Sequence, residues 1–173
     1  MRFVHCTHAR HTEEIRAIFN EAILNTTALF DYEPRSSALL ESWFAVKEEQ
    51  GHPIIGIEAD DGTLLGFASY GTFRSWPAYK YTVEHSVYVH KEHRGKGLGR
   101  RLLEKLLEEA EARDVHVMVG VIESSNTGSI ALHEALGFTH AGTLEEVGFK
   151  FGRWLDVSFY QRVLRTPMQP VDG

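Results

Sequence analysis

The sequence predicts one α/β domain built on a mixed sheet covered on both sides by helices. Strand-type apolar runs interleave with amphipathic stretches of helical period along the chain. With 173 residues, 43% of them apolar, the chain can bury a full single core. A strand at 82–89 also feeds a glycine turn that opens a helix, the arrangement that places a ligand crevice beside helix N-termini in α/β sheets.

Residues 2–7 read as the first strand. A helix follows from Thr12, with Ile15, Ile18, Phe19, Ala22 and Ile23 at helical spacing and Glu13 and Glu14 in its first turn. After an irregular polar and aromatic segment at 25–33, Pro34 and Ser36 introduce a second helix. Its apolar side carries Leu39, Leu40, Trp43 and Phe44, and it stops near Gly51. Residues 54–59 and 64–70 flank the Asp61-Gly62 turn as a hairpin. Leu102, Leu103, Leu106, Leu107 and Ala110 line the inner face of the helix ending near 113, and four glutamates cover the other side. A buried strand at 115–122, a helix at 126–136 capped by Gly137, and two strands within 138–164 complete the domain. The order is β-α-α-β-β-β-α-β-α-β-β. The domain spans 1–164, and the tail at 165–173, with two prolines and a terminal glycine, reads as flexible.

The turn reads Arg94-Gly95-Lys96-Gly97-Leu98-Gly99. Unpaired backbone N–H groups at a helix start converge on one point and suit a phosphate, and glycines let the backbone approach it closely. Lys91, Arg94, Lys96, Arg100 and Arg101 crowd this turn against Glu92, although the formal net charge of the chain is -6. Cations at a helix N-terminus oppose its dipole, so an anionic ligand is expected there. A Walker-type loop does not fit the spelling. A dinucleotide fingerprint is weakened because Arg100 stands where its third glycine belongs, yet it survives on Gly95, Gly97 and the acid Glu123 at the next strand end.

The pattern Arg-x-x-Gly-x-Gly at a helix start resembles the GNAT acyltransferases, and the stretch from Asn126 to Leu136-Gly137-Phe138 resembles that family's later helix. Tyr81 to Val89, Gly71 to Trp76 and Gly148 to Val157 resemble its phosphinothricin and methionine-sulfoximine N-acetyltransferases more closely. The likeness runs from about residue 2 to residue 164. It implies a mostly antiparallel central sheet whose strands at 82–89 and 115–122 splay apart around the pantetheine arm of acetyl-coenzyme A. It also implies a homodimer and a small amino-acid acceptor such as methionine sulfone, methionine sulfoximine or phosphinothricin.

Acyl transfer to an amine needs a base for the ammonium, stabilisation of the oxyanion and a proton for the thiolate. Periodicity alone leaves Glu84 a solvent-facing strand residue, paired with Lys80; the resemblance makes it the general base. His133 stands where many members have a tyrosine as general acid, which makes it the catalytic acid or an ordinary packing histidine. For the cofactor the resemblance implies the backbone of Val87, Tyr88 and Val89, the turn from Arg94, Gly95, Lys96, Gly97, Leu98 and Gly99 to Arg100, and Asn126, which also suits a helix cap. For the acceptor, Arg74 after an apolar strand end suits a carboxylate or is an ordinary exposed hairpin arginine, with Phe30 of the irregular segment and Trp76 as aromatics to shape a pocket. The resemblance makes Arg74, Ser75, Trp76, Glu84, His85 and Ser86 the acceptor set. A binding module without turnover would have no use for Glu84 beside the thioester.

No metal is expected: His5, His8 and His11 straddle a predicted strand and loop that would keep them apart. Cys6, the sole cysteine, excludes an internal disulfide and reads as a buried strand residue. The acidic balance, the single basic turn and the short apolar runs point to a cytoplasmic protein with no nucleic-acid or membrane partner.

Overall fold

The computed structural model describes residues 1–173. Its elements are β1 (Arg2–His5), α1 (His8–Asn25), α2 (Ser37–Glu49), β2 (Ile54–Glu58), β3 (Leu64–Thr72), β4 (Thr82–Val89), α3 (Leu98–Glu111), β5 (Val117–Glu123), α4 (Thr127–Ala135), β6 (Thr139–Lys150) and β7 (Arg153–Val163). Two 3-10 turns, Pro77–Tyr79 and Lys91–His93, interrupt the segments on either side of β4. The element order is the expected one. The strands form a seven-stranded sheet in the order β1-β2-β3-β4-β5-β7-β6. The ladders β1·β2, β2·β3, β5·β7 and β6·β7 are antiparallel, and β4·β5 is parallel.

The chain divides into two compact units, residues 1–69 with 87–106, and residues 70–86 with 107–173. In the first, Ile15, Ile18, Phe19, Leu40, Phe44, Leu64 and Phe67 form a buried cluster. The Phe19 ring meets Trp43, Phe67 and Tyr88 edge-on at 5.5, 5.0 and 5.1 Å, so α1 and the end of β4 share one aromatic junction. Leu39 departs from expectation, being 58% exposed while Leu40 and Phe44 are buried. One residue is about 100° of rotation on a helix, which carries Leu39 off the stripe that reaches the core.

Helix α1 begins at His8, a turn earlier than its apolar periodicity predicts. The polar first turn is held by tertiary contacts instead. His11 Nδ1 accepts a hydrogen bond from the Thr7 N–H at 2.9 Å, and its Nε2 lies 3.2 Å from the Glu58 carboxylate. Arg2 and Arg10 also bind Glu58, at 3.0 and 2.7 Å, which satisfies a carboxylate that is wholly buried at the end of β2. His11 is therefore occupied as a structural partner, and His8 packs against the Phe44 ring. Cys6 is buried, and burial pushes its thiol up to about 12, which leaves it unreactive.

In the second unit the β4·β5 register pairs Thr82 with Val117, Val83 with Met118, Glu84 with Val119 and His85 with Gly120, where the ladder ends. Alternation places Val83 and His85 on one face with Met118 and Gly120, and Thr82 and Glu84 on the other with Val117 and Val119. Gly137 ends α4 at φ +80°. The tail beyond Arg165 is not loose along its length: Thr166 Oγ1 donates to the Val115 carbonyl, and the Val171 N–H donates to the Tyr81 hydroxyl at 3.1 Å. No helix is long and apolar enough to cross a membrane.

Candidate active site

Three local arrangements hold the residues singled out from the sequence. The first is the glycine turn in the first unit. Gly95 and Gly97 adopt φ +74° and +76°, a left-handed geometry that glycine adopts without strain, and open space surrounds the position a Cβ would take at each. The turn is exposed at Arg94, Gly95, Lys96 and Gly97, with Leu98 buried as its anchor and Gly99 half-buried at the start of α3. The Arg94 guanidinium donates to the Val89 carbonyl at 3.2 Å and pairs with Glu21 of α1. Lys96 Nζ donates to the Glu92 carbonyl at 3.1 Å, and Arg100 pairs with Glu104 at 2.8 Å. Val87, Tyr88 and Val89 are half-buried in β4, beyond the end of its ladder with β5.

His90, Glu92 and His93 bring possible ligand atoms within 4.8 Å of one another beside this turn. Lys91, Arg94 and Lys96 flank them in the chain, a positive surround that opposes a divalent cation, so they carry no metal assignment.

The second arrangement is the Glu84 face. Glu84 reaches solvent, but burial around it pushes its carboxyl above the ordinary carboxylate range, while the positive charge of Arg74 pulls it back down. Arg74, Ser75 and Trp76 are exposed in the segment after β3, with Trp76 opening the 3-10 turn Pro77–Tyr79. The Arg74 guanidinium lies 5.6 Å from the centre of the Phe73 ring. Phe30 is 40% exposed in the loop between α1 and α2, within the first unit.

The third arrangement was not legible in the sequence. His85 and His133 stack at 5.0 Å between ring centroids with Nε2 atoms 2.9 Å apart, both rings against Phe138. His133 Nδ1 lies 2.6 Å from the Ser129 carbonyl, which can only accept, so Nδ1 carries the proton. In the neutral ring His133 Nε2 then accepts from His85 Nε2–H, leaving His85 Nδ1 a buried acceptor without a partner. Burial, reinforced by His133, lowers His85 to about 3, and burial also lowers His133. Gly120 makes room for the stack: a Cβ there would lie 3.0 Å from both rings. A glycine amid the valines of β5 was the one sequence signal for this close approach. Ser86 is half-buried beside the pair in sequence, and Asn126 caps α4 by accepting from the Ser129 N–H at 3.1 Å.

Glu123, the acid that kept a dinucleotide reading open, is buried and accepts from the Ser125 N–H at 3.1 Å and from its hydroxyl. The glycine turn belongs to another lineage: residues 14–138 match the Acetyltransferase (GNAT) family. The chain is a member of the GNAT acetyltransferase family. It is 49% identical over 147 residues to an L-methionine sulfoximine/L-methionine sulfone acetyltransferase of Pseudomonas paraeruginosa, covering 85% of this chain and 86% of that protein. It is 38% identical over 151 residues to a phosphinothricin N-acetyltransferase of Alcaligenes faecalis, covering 87% and 76%. A solved acetyltransferase from Salmonella typhimurium, determined with acetyl-CoA, superposes with a TM-score of 0.94 at 42% identity, covering 99% of this chain and 98% of that one.

Proposed function

We propose that this GNAT enzyme moves the acetyl group of acetyl-CoA to the amino group of a small amino acid or analogue of the methionine sulfone, methionine sulfoximine or phosphinothricin type. The observation that carries the reading is the extent of its likeness to enzymes named for those acceptors, 49% identity over 85% of the chain in one case. Gly95 and Gly97 fit the cofactor: their left-handed geometry, with open space where a Cβ would stand, lets a pyrophosphate approach the backbone at the start of α3. Val87, Tyr88, Val89, Arg94, Lys96, Leu98, Gly99, Arg100 and Asn126 complete that assignment.

Glu84 is the general base. Burial raises its carboxyl above the ordinary glutamate range, which makes it a better proton acceptor than an exposed glutamate. Glu84 first takes a proton from the ammonium to give the free amine. The amine nitrogen then bonds to the acetyl carbonyl carbon and the C–S bond breaks. The second proton lost from that nitrogen goes to the departing thiolate, so that the amide and the free thiol of CoA are formed. Arg74 holds the acceptor carboxylate with Ser75, Trp76 and Ser86 beside it, and Phe30 is a further acceptor candidate. His85 lies on the face of β4 opposite Glu84, stacked on His133, so its part is to support the strand. For His133 the burial favours an orienting role over that of general acid, because a neutral imidazole bonded on both nitrogens is a poor donor to a thiolate.

The reading includes a cytoplasmic homodimer. Leu144, Val147, Phe149, Phe151 and Trp154, each between 46% and 60% exposed, lie along the β6–β7 hairpin, and β6 has no strand on its outer edge, which invites a second copy. Release of free thiol from acetyl-CoA across a panel of free amino acids, their sulfones, phosphinothricin, polyamines and peptides tests the proposal. Preference for the amino-acid analogues supports it; preference for polyamines or for peptides rejects the acceptor.

A further inference from the structure

Resting on the acetyl-CoA reading of the glycine turn, we infer that Glu21 is a positioning residue for the cofactor, bracing Arg94 so that the turn is preformed before the anion arrives. Arg94 is the first residue of the glycine pattern, and the bland expectation is that its guanidinium reaches for a phosphate. Its side chain is instead committed to protein on two sides. Nε donates to the Val89 carbonyl at the end of β4, and Nη2 pairs with the Glu21 carboxylate on α1.

The same helix grips the chain just before the turn. Phe19, two residues from Glu21, packs edge-on against Tyr88 at 5.1 Å, and the His90 N–H donates to the Leu65 carbonyl at 2.8 Å. The turn thus leaves a strand end fixed by Tyr88 and His90 and enters α3 at buried Leu98. Between those anchors lie two glycines whose backbones have no side chain to limit them and open space around them. That stretch carries a large conformational entropy when free. A guanidinium tied to both Val89 and α1 is the side-chain restraint that spans the gap.

Charge points the same way. Arg100 is neutralised by Glu104 as Arg94 is by Glu21, so the two arginines nearest the turn glycines are already paired within the protein. An anion is then met mainly by backbone N–H groups already in place, and the gain in affinity comes from ordering done in advance.

The two roles of Arg94 predict opposite signs for one conservative change. If Glu21 merely competes with phosphate for Arg94, Glu21→Gln frees the guanidinium and tightens CoA binding. If Glu21 braces the turn, Glu21→Gln weakens it, by about three- to tenfold in Kd measured by calorimetry with CoA, with kcat and the acceptor's KM unchanged. Glu21→Gln and Arg94→Gln together should weaken binding no more than Arg94→Gln alone, because both remove one strut.

A second measurement needs no ligand. Amide hydrogen exchange at residues 95–98 of the free protein should quicken at least severalfold in Glu21→Gln while the α1 core amides are unchanged. Tighter or unaltered CoA binding in Glu21→Gln, or unaltered exchange in the turn, overturns the strut. Failure of the unsubstituted protein to bind CoA would reject the cofactor reading, and the exchange measurement would still decide whether Glu21 orders the turn.

Discussion

His85 and His133 share a single proton between Nε2 atoms 2.9 Å apart, in a buried stack that Gly120 alone leaves room for. Nitrogen-15 shifts of the rings should show His133 protonated at Nδ1 and His85 at Nε2 at neutral pH. Gly120→Ala, which sets a methyl 3.0 Å from both rings, should separate them and destabilise the protein by about 1–3 kcal/mol in urea unfolding. The opposite tautomer on His133 would remove the bond to Ser129 from the account.

The same pair makes the fold acid-sensitive. The folded state holds His85 near 3 against an ordinary 6.5, so the unfolded chain binds the proton first as pH falls. Its contribution to stability is full above about 6.5 and is lost progressively toward 3, with a slope of up to ~1.4 kcal/mol per pH unit. Equilibrium unfolding from pH 7 to pH 5 should show that slope, and His85→Gln should flatten it. An equal slope in the variant would assign the effect elsewhere.

Glu58 adds a second, more acidic step. Hydrogen bonds from Arg10 and Arg2 hold its carboxyl down at about 2, so its contribution is present above the ordinary 4.5 and disappears as pH falls from there toward 2. Glu58→Gln weakens two charge-assisted contacts and should cost roughly 1.5–3 kcal/mol at pH 7, with little difference from the parent below pH 2. Activity per folded molecule should not change.

Glu84→Gln should lower kcat by roughly 10²–10⁴ and leave CoA affinity alone, with partial recovery at high pH where solvent deprotonates the amine. Arg74→Ala removes the positive charge that lowers Glu84, so the acid limb of kcat/KM should move to higher pH. It should also raise the acceptor KM about ten- to a hundredfold, as expected for loss of a charge-assisted contact, without affecting the KM for acetyl-CoA. An acid limb that stays in place would separate Glu84 from the titration.

At the cofactor turn, Gly97→Asp should abolish CoA binding with the fold intact. A side chain and a negative charge would then occupy the open space beside a backbone at φ +76°. Calorimetry with CoA checks this directly; undiminished affinity would remove the turn from the cofactor site.

The order of elements, the buried leucines of α3, the Ser36 and Asn126 caps and the glycine turn were legible because each rests on local spacing or backbone chemistry. Short-range patterns survive in the linear chain. The start of α1 and the position of Leu39 were misjudged for one reason: apolar periodicity does not register a polar helical turn held by Glu58, nor which of two adjacent leucines faces a distant core. Arg74, Glu84 and His133 could be named from the resemblance, but not their surroundings.

What the sequence determined by itself was the fold class, the family and the residue types available for chemistry. Tertiary structure alone decided how those residues are disposed. Forty-eight positions separate His85 from His133, and 73 separate Glu21 from Arg94, so neither pairing has a local signature. His133 is therefore a buried, neutral partner of another histidine, and Arg94 a guanidinium already engaged. Both states arise from desolvation and charge pairing, which depend on neighbours that only the folded chain brings within a few ångströms.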